Sequence, residues 1–300
     1  MFKMSEYSFM AGLLSVGLAL LCYLLAFASV RIARRQSALA LEGGPGSTSV
    51  MGGQSVEFTR GPSGLAGYGS LIAWLALAFI SAALVFRTIA VQHGPFANMY
   101  EFSIAFAWGV LAAHVYFERR YHMRVLGLFA LPVALLLLLY ATTIPSTFDP
   151  LVPALQNNLL LTTHVAVAIV AYGGFAVAFA AAALHLIASY TGSRRLPRLE
   201  LLDEIGYRAV VIGFPFLTLV IVLGAVWANV AWGRYWGWDP KETASLVTWL
   251  IYGAYLHART LRGWKGDRSA LLLVIGFAAV LFTYFGNLFF GGLHSYAGVR

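Results

Sequence analysis

The sequence predicts an all-α, polytopic membrane bundle of about eight transmembrane helices with both termini outside. Three observations carry that expectation. The 300 residues are 60% apolar and only 11% charged, with a mean hydropathy of +0.77, which leaves too little polar surface for a water-soluble domain. Apolar runs of roughly 18 to 25 residues, long enough to cross a ~30 Å hydrocarbon core as helices, recur eight times. Lys and Arg alternate between consecutive loops, the pattern that the positive-inside rule turns into an orientation.

The first run spans Phe9 to Val30. Lys3 is the only positive residue before it and no small-residue cleavage pattern follows, so a removed signal peptide is not expected. Arg31, Arg34 and Arg35 close it on the inner side. Gln36 to Gly67 is rich in Gly and Ser without apolar periodicity and reads as a flexible cytoplasmic linker. The later runs are Tyr68 to Ala90, Tyr100 to Phe117, Val125 to Ile144, Leu159 to Tyr190, Tyr207 to Asn229, Ala244 to Leu261 and Ala270 to Phe290. The organisation expected is a first helix (1–35), a linker (36–67) and one transmembrane domain (68–300), with no internal repeat.

With the N-terminus outside, the inner side holds fifteen of the twenty Lys and Arg residues, and the outer side keeps Lys3, Arg87, Arg234, Lys241 and Arg300. The net charge of +8 therefore reports topology and gives no sign of a nucleic-acid partner. A single cysteine, Cys22, excludes a disulfide within the chain, a Cys-x-x-Cys redox pair and a covalent haem-attachment motif. Any thiol chemistry served by this chain uses thiols of another molecule.

Between the sixth and seventh runs, Trp227 to Trp238 holds half of the eight tryptophans within twelve residues. A membrane-interface belt would scatter tryptophans over many helix ends, whereas here they surround Gly233 and Gly237. Trp232, Tyr235, Trp236 and Trp238 read as a platform for a large flat ligand. Arg234 and Lys241 add two cations suited to a pair of carboxylates. Asp239-Pro240-Lys241-Glu242 has the form of a helix start, with Asp as N-cap, Pro at the first position and Glu three residues after the cap.

The seven histidines are the main candidates for chemistry, because no acidic pair or Ser/His/Asp arrangement lies in the membrane. His164 opens the fifth run and His294 follows the eighth, so both share the outer level with the tryptophan-rich segment. Two imidazoles at one level could fill both axial positions of a haem iron; the plainer reading is an interhelical bond for His164 and a solvated tail residue for His294. His257 lies toward the inner end of the seventh run, where an ionisable group is costly enough to be a functional candidate. It shares a stripe with Trp249 and Gly253; here the plainer reading is a hydrogen bond between helices, or snorkelling. Structural or solvated roles are expected for His93, His114, His122 and His185.

Trp232-Gly-Arg-Tyr-Trp-Gly-Trp-Asp-Pro-Lys-Glu-Thr243 closely resembles the WWD signature of haem-handling membrane proteins in cytochrome c maturation. Gly94-Pro-Phe-Ala-Asn-Met-Tyr-Glu101, His164, Tyr252-Gly-Ala-Tyr-Leu-His-Ala-Arg259 and Gly292-Leu-His-Ser-Tyr296 narrow the resemblance to the CcsA/ResC family of System II, over about Tyr68 to Tyr296. Ala244, where many relatives carry Trp, and Gly237, where Ser is common, depart from the pattern.

The resemblance implies that His164 and His294 are outer axial ligands of a haem b held against the WWD loop (227–243), and that His257 is one intramembrane ligand. It further implies a ResB-like membrane partner, apocytochrome c as substrate, thiol-reducing pathway proteins, and residence in the bacterial cytoplasmic (inner) membrane with the WWD loop facing the periplasm or cell exterior. The activity implied is presentation of haem for thioether attachment to Cys-x-x-Cys-His, as a subunit of a cytochrome c haem lyase. Two alternatives stay open: a System I-type haem exporter handing haem to a carrier chaperone, and a structural subunit whose aromatic belt holds no cofactor.

Overall fold

A computed structural model describes residues 1–42, 64–146, 158–192, 196–286 and 289–294. Among them the chain is all-helical, with α1 Phe2–Glu42, α2 Leu65–Val91, α3 Met99–Tyr121, α4 Gly127–Thr142, α5 Asn158–Thr191, α6 Leu199–Trp232, α7 Pro240–Arg262 and α8 Asp267–Phe285. A short 3-10 turn, Arg124–Leu126, leads into α4. The expected linker begins later than its composition suggested, because Gln36-Ser-Ala-Leu-Ala-Leu-Glu42 consists mostly of good helix formers and continues α1. Residues 43–63 of that linker, and Ser295-Tyr296 of the C-terminal motif, lie outside the described residues.

Among the described residues, six helices are long and apolar enough to cross a membrane: α1, α2, α4 with its preceding turn, α5, α6 and α8. The other two, α3 and α7, have 23 residues each, a length of about 34 Å, but carry ionisable groups toward their ends. Three of those groups, Glu101, Glu118 and Arg259, are paired inside the bundle, as burial in an apolar medium requires. Glu101 at the start of α3 meets Arg87 of α2 at 2.8 Å, both almost fully buried. Glu118 near its end accepts from Tyr23 of α1 at 2.5 Å and from Ser70 of α2. On α7, Arg259 pairs with Asp203 of α6 at 2.7 Å.

α5 is the central helix, with 78% of its apolar window buried against 28% for α2 and α6. It packs on α3, α4, α6 and α8. Small residues allow this: a Cβ at Gly173 would strike the carbonyl of Gly109 on α3, so the two backbones meet directly. The result is a bundle in which the start of α5, the end of α6, the start of α7 and the segment after α8 come together at one end. At the opposite end His185 of α5 reaches Asp267 of α8 at 3.0 Å and the Leu199 carbonyl of α6 at 3.2 Å.

Candidate functional site

The loop between α6 and α7 is shaped by two left-handed residues. Gly233, at φ 73°, ends α6 and donates its backbone N–H to the Asn229 carbonyl. Trp238 adopts φ 56°, a conformation that a bulky aromatic residue occupies only when its surroundings impose it. Asp239 then caps α7 with Pro240 in the first turn and a full capping box with Glu242, as the sequence predicts. Glu242 also accepts from the backbone N–H of Gly237 at 2.8 Å, closing the loop onto the helix it precedes.

Beneath this loop lies an open cavity walled by α3, α5, α6, α7 and α8. His164 and His294, 130 positions apart in sequence, both line it, together with Tyr235, Trp236 and Lys241. The buried indole of Trp227 touches both imidazoles, stacking on His164 (centroids 6.4 Å apart, planes at 15°) and tilting against His294 (5.6 Å, 44°). Trp232 meets the His294 ring edge-on at 4.9 Å. The ammonium of Lys241 sits over the Phe102 ring at 5.8 Å, and among the described residues it makes no ion pair.

The remaining predicted residues lie elsewhere. Trp238 stacks edge-on against Trp236 at 5.8 Å but is 70% exposed, and the exposed Arg234 folds back over Gly237. Neither lines the cavity. His257 is exposed on α7, well along the helix from the cavity residues Lys241, Glu242 and Ser245. On its stripe, Trp249 stacks on Phe214 of α6 and donates to Thr218 at 2.9 Å, and Gly253 faces the same phenylalanine.

Sequence reasoning passed over two contributions. The aromatic wall opposite the loop comes from Phe102 and Phe106 of α3, Tyr172 of α5 and Tyr284 of α8, with Phe106 stacked on Tyr172 and edge-on to Tyr284. Only the i, i+4 spacing of Phe102 and Phe106 could have signalled it. The second is the Asp239 carboxylate, which besides capping α7 accepts from Nδ1 of His294 at 2.8 Å and from the Leu293 N–H at 2.6 Å. Burial pushes its pKa up, but those bonds and the one from the Lys241 N–H outweigh it and hold the carboxyl down at about 2. Burial pushes the His294 imidazole below its ordinary value despite the neighbouring carboxylate. A carboxylate only accepts, so in the neutral ring the His294 proton that meets it sits on Nδ1 and the lone pair on Nε2.

These residues suit a haem. The aromatic walls would flank a flat macrocycle, the two imidazoles would offer it nitrogen ligands, and Lys241 would offer a cation to a propionate. The Nδ1 atom of His164 is buried, with the backbone of Val220 as the ring's polar neighbour.

Fold and site together define a multi-pass helical membrane protein with a two-histidine aromatic cavity at one end of the bundle. The chain belongs to the family described as Cytochrome C assembly protein, whose profile matches residues 96–294. It is similar to the cytochrome c biogenesis protein CcsA of Guillardia theta, 37% identical over 260 residues that cover 77% of this chain and 85% of that one. The CcsA of Gloeobacter violaceus is also 37% identical, over 284 residues covering 74% and 84%. In architecture the chain resembles the solved structure of cytochrome c heme lyase CcmF, with a TM-score of 0.62 at 19% identity. That likeness covers 93% of this chain and 46% of the larger protein.

Proposed function

We propose that this chain is the haem-handling subunit of a System II cytochrome c synthase, with residues 68–300 as its haem-handling transmembrane domain. It binds haem b in the outer cavity with His164 and His294 as axial ligands, and presents it to the Cys-x-x-Cys-His of an apocytochrome c. The observation that carries this reading is the meeting of two distant histidines on one indole inside a single cavity, within the region matched by the family.

The haem supplies the reactive vinyl groups, and the apocytochrome supplies the thiols. The task of this chain is to hold, orient and shield. Tyr235 and Trp236 cover one side of the cavity and the Phe106–Tyr172–Tyr284 wall the other. Lys241 neutralises a propionate, and the exposed Arg234 and Trp238 face the incoming substrate. His257 serves haem inside the membrane together with a ResB-like partner. The tryptophan-rich loop faces the periplasm or cell exterior of a bacterial inner membrane, where thiol-reducing proteins keep the substrate cysteines reduced.

The test is co-expression of this chain with its ResB-like partner and a c-type apocytochrome in cells lacking their own cytochrome c maturation genes. Covalent haem on the apocytochrome, lost when either membrane subunit is omitted, is expected. No covalent haem, with haem instead passed to a co-expressed carrier chaperone, would replace this reading by the exporter.

A further inference from the structure

A helix N-cap needs one side-chain oxygen aimed at the first turn. Asp239 does more than that. Its Oδ1 accepts from the Lys241 N–H at 3.0 Å and from His294 Nδ1 at 2.8 Å, while Oδ2 accepts from the Leu293 N–H at 2.6 Å. The residue is 5% exposed and its side chain 1%. Both oxygens are therefore committed, and two of the bonds reach a segment 54 and 55 positions away.

A carboxylate only accepts, so Nδ1 of His294 is its donor and the ring lone pair is placed on Nε2, the tautomer an iron ligand requires. Trp232 edge-on and Trp227 tilted against the same ring limit its rotation. A carboxylate behind a ligating histidine fixes the ring and raises its donor strength, and loss of such a partner typically costs about 10–100-fold in metal affinity. Among the described residues His164 has no carboxylate behind it: its ring packs against Trp227 and Gly224, and its polar neighbour is the backbone of Val220.

Resting on the proposed haem site, we propose that Asp239 is a positioning residue that holds His294 in its ligating tautomer and strengthens it as an iron ligand, which makes the two axial ligands unequal. The Asp of the tryptophan-rich segment thereby joins the start of α7 to the haem iron through one imidazole.

Two variants separate this role from capping. Asn and Ser both cap helices about as well as Asp, but Asp239→Asn presents a neutral group to His294 and Asp239→Ser is too short to reach it. The chain is purified with its membrane partner from haem-replete cells, and reduction potential, visible spectrum and rate of haem loss to excess apomyoglobin are measured for wild type, D239N, D239S and His294→Ala. Haem loss is expected to quicken about 10–100-fold in D239S and less in D239N. Both potentials should move to more positive values, since a weaker donor stabilises ferric iron less, while the melting temperature of the haem-free protein stays within a few degrees of wild type. Wild-type potential and haem loss in both variants, alongside a His294-dependent wild-type spectrum, would overturn the role of Asp239 and leave the site standing. A wild-type spectrum indifferent to His294→Ala would overturn the haem site itself. A large fall in melting temperature in both variants, with the potential unchanged, would assign Asp239 to capping alone.

Discussion

A methyl group at Gly292 tests how tightly the segment after α8 must sit on the start of α7. A Cβ at this position would collide with Oδ2 of Asp239 and lie 3.0 Å from Cδ of Pro240. Neither neighbour can yield: the proline ring is rigid, and the carboxylate is held by Lys241, Leu293 and His294. Relief requires the segment to lift away, which breaks the bonds from Leu293 and His294. Hydrogen bonds to a charged group contribute about 1.5–3 kcal/mol each. Losing the weaker one alone lowers the population of the seated segment about tenfold, and losing both lowers it more than a hundredfold. Gly292→Ala is therefore expected to retain less than about a tenth of the wild-type haem after purification with the partner. Gly291→Ala, whose Cβ meets nothing within 4 Å, serves as the control and should retain all of it. Equal haem content and identical visible spectra for G292A and G291A would refute the packing argument.

Three further outcomes follow from other parts of the bundle. A Cβ at Gly224 lies 3.0 Å from Cε1 of His164, so Gly224→Val should displace that ring and lower haem retention several-fold, whereas Gly17→Val, in open space, should not; absorption spectra of the two variants decide it. Glu101→Ala removes the carboxylate that pairs with the buried Arg87 guanidinium, and removing one partner of such a pair costs about 3–5 kcal/mol; the melting temperature should fall clearly, and an unchanged value would count against the pair as a structural clamp. His257→Ala should leave both the fold and the outer-cavity spectrum intact when haem is added to purified protein, yet lower haem occupancy in cells; equal occupancy in cells would remove His257 from the haem path.

The fold was legible because apolar periodicity and loop charge act locally. Ala244 to Leu261 was expected and Pro240–Arg262 is observed, with the cap at Asp239 where the Asp-Pro-Lys-Glu pattern placed it. The overrun of α1 to Glu42 was missed, since a Gly- and Ser-rich stretch was read as starting before the helix formers ended. Topology alone brought His164 and His294 to one level, because an even number of crossings separates their ends. Side-chain direction was not legible. Nothing in Trp-Gly-Arg-Tyr-Trp-Gly-Trp distinguishes Tyr235 and Trp236, which line the cavity, from Arg234 and Trp238, which turn outward at a left-handed residue. The bond between Asp239 and His294 joins two segments 55 residues apart and has no local signal, so a cap was visible where a cap and an imidazole holder coexist. The opposite wall of Tyr172 and Tyr284 depends on how α5 and α8 pack, which no single-helix pattern records.

The central claim is that His164 and His294 jointly bind one haem in the outer cavity. It is tested most directly by the visible spectrum of the chain purified with the proposed ResB-like partner, for wild type and for His164→Ala, His294→Ala and His257→Ala. The account predicts a low-spin bis-histidine spectrum in the wild type, its loss in each of the first two variants, and an outer-cavity signal that survives in the third once haem is added. Equal haem occupancy and one unchanged spectrum in all four proteins would contradict it.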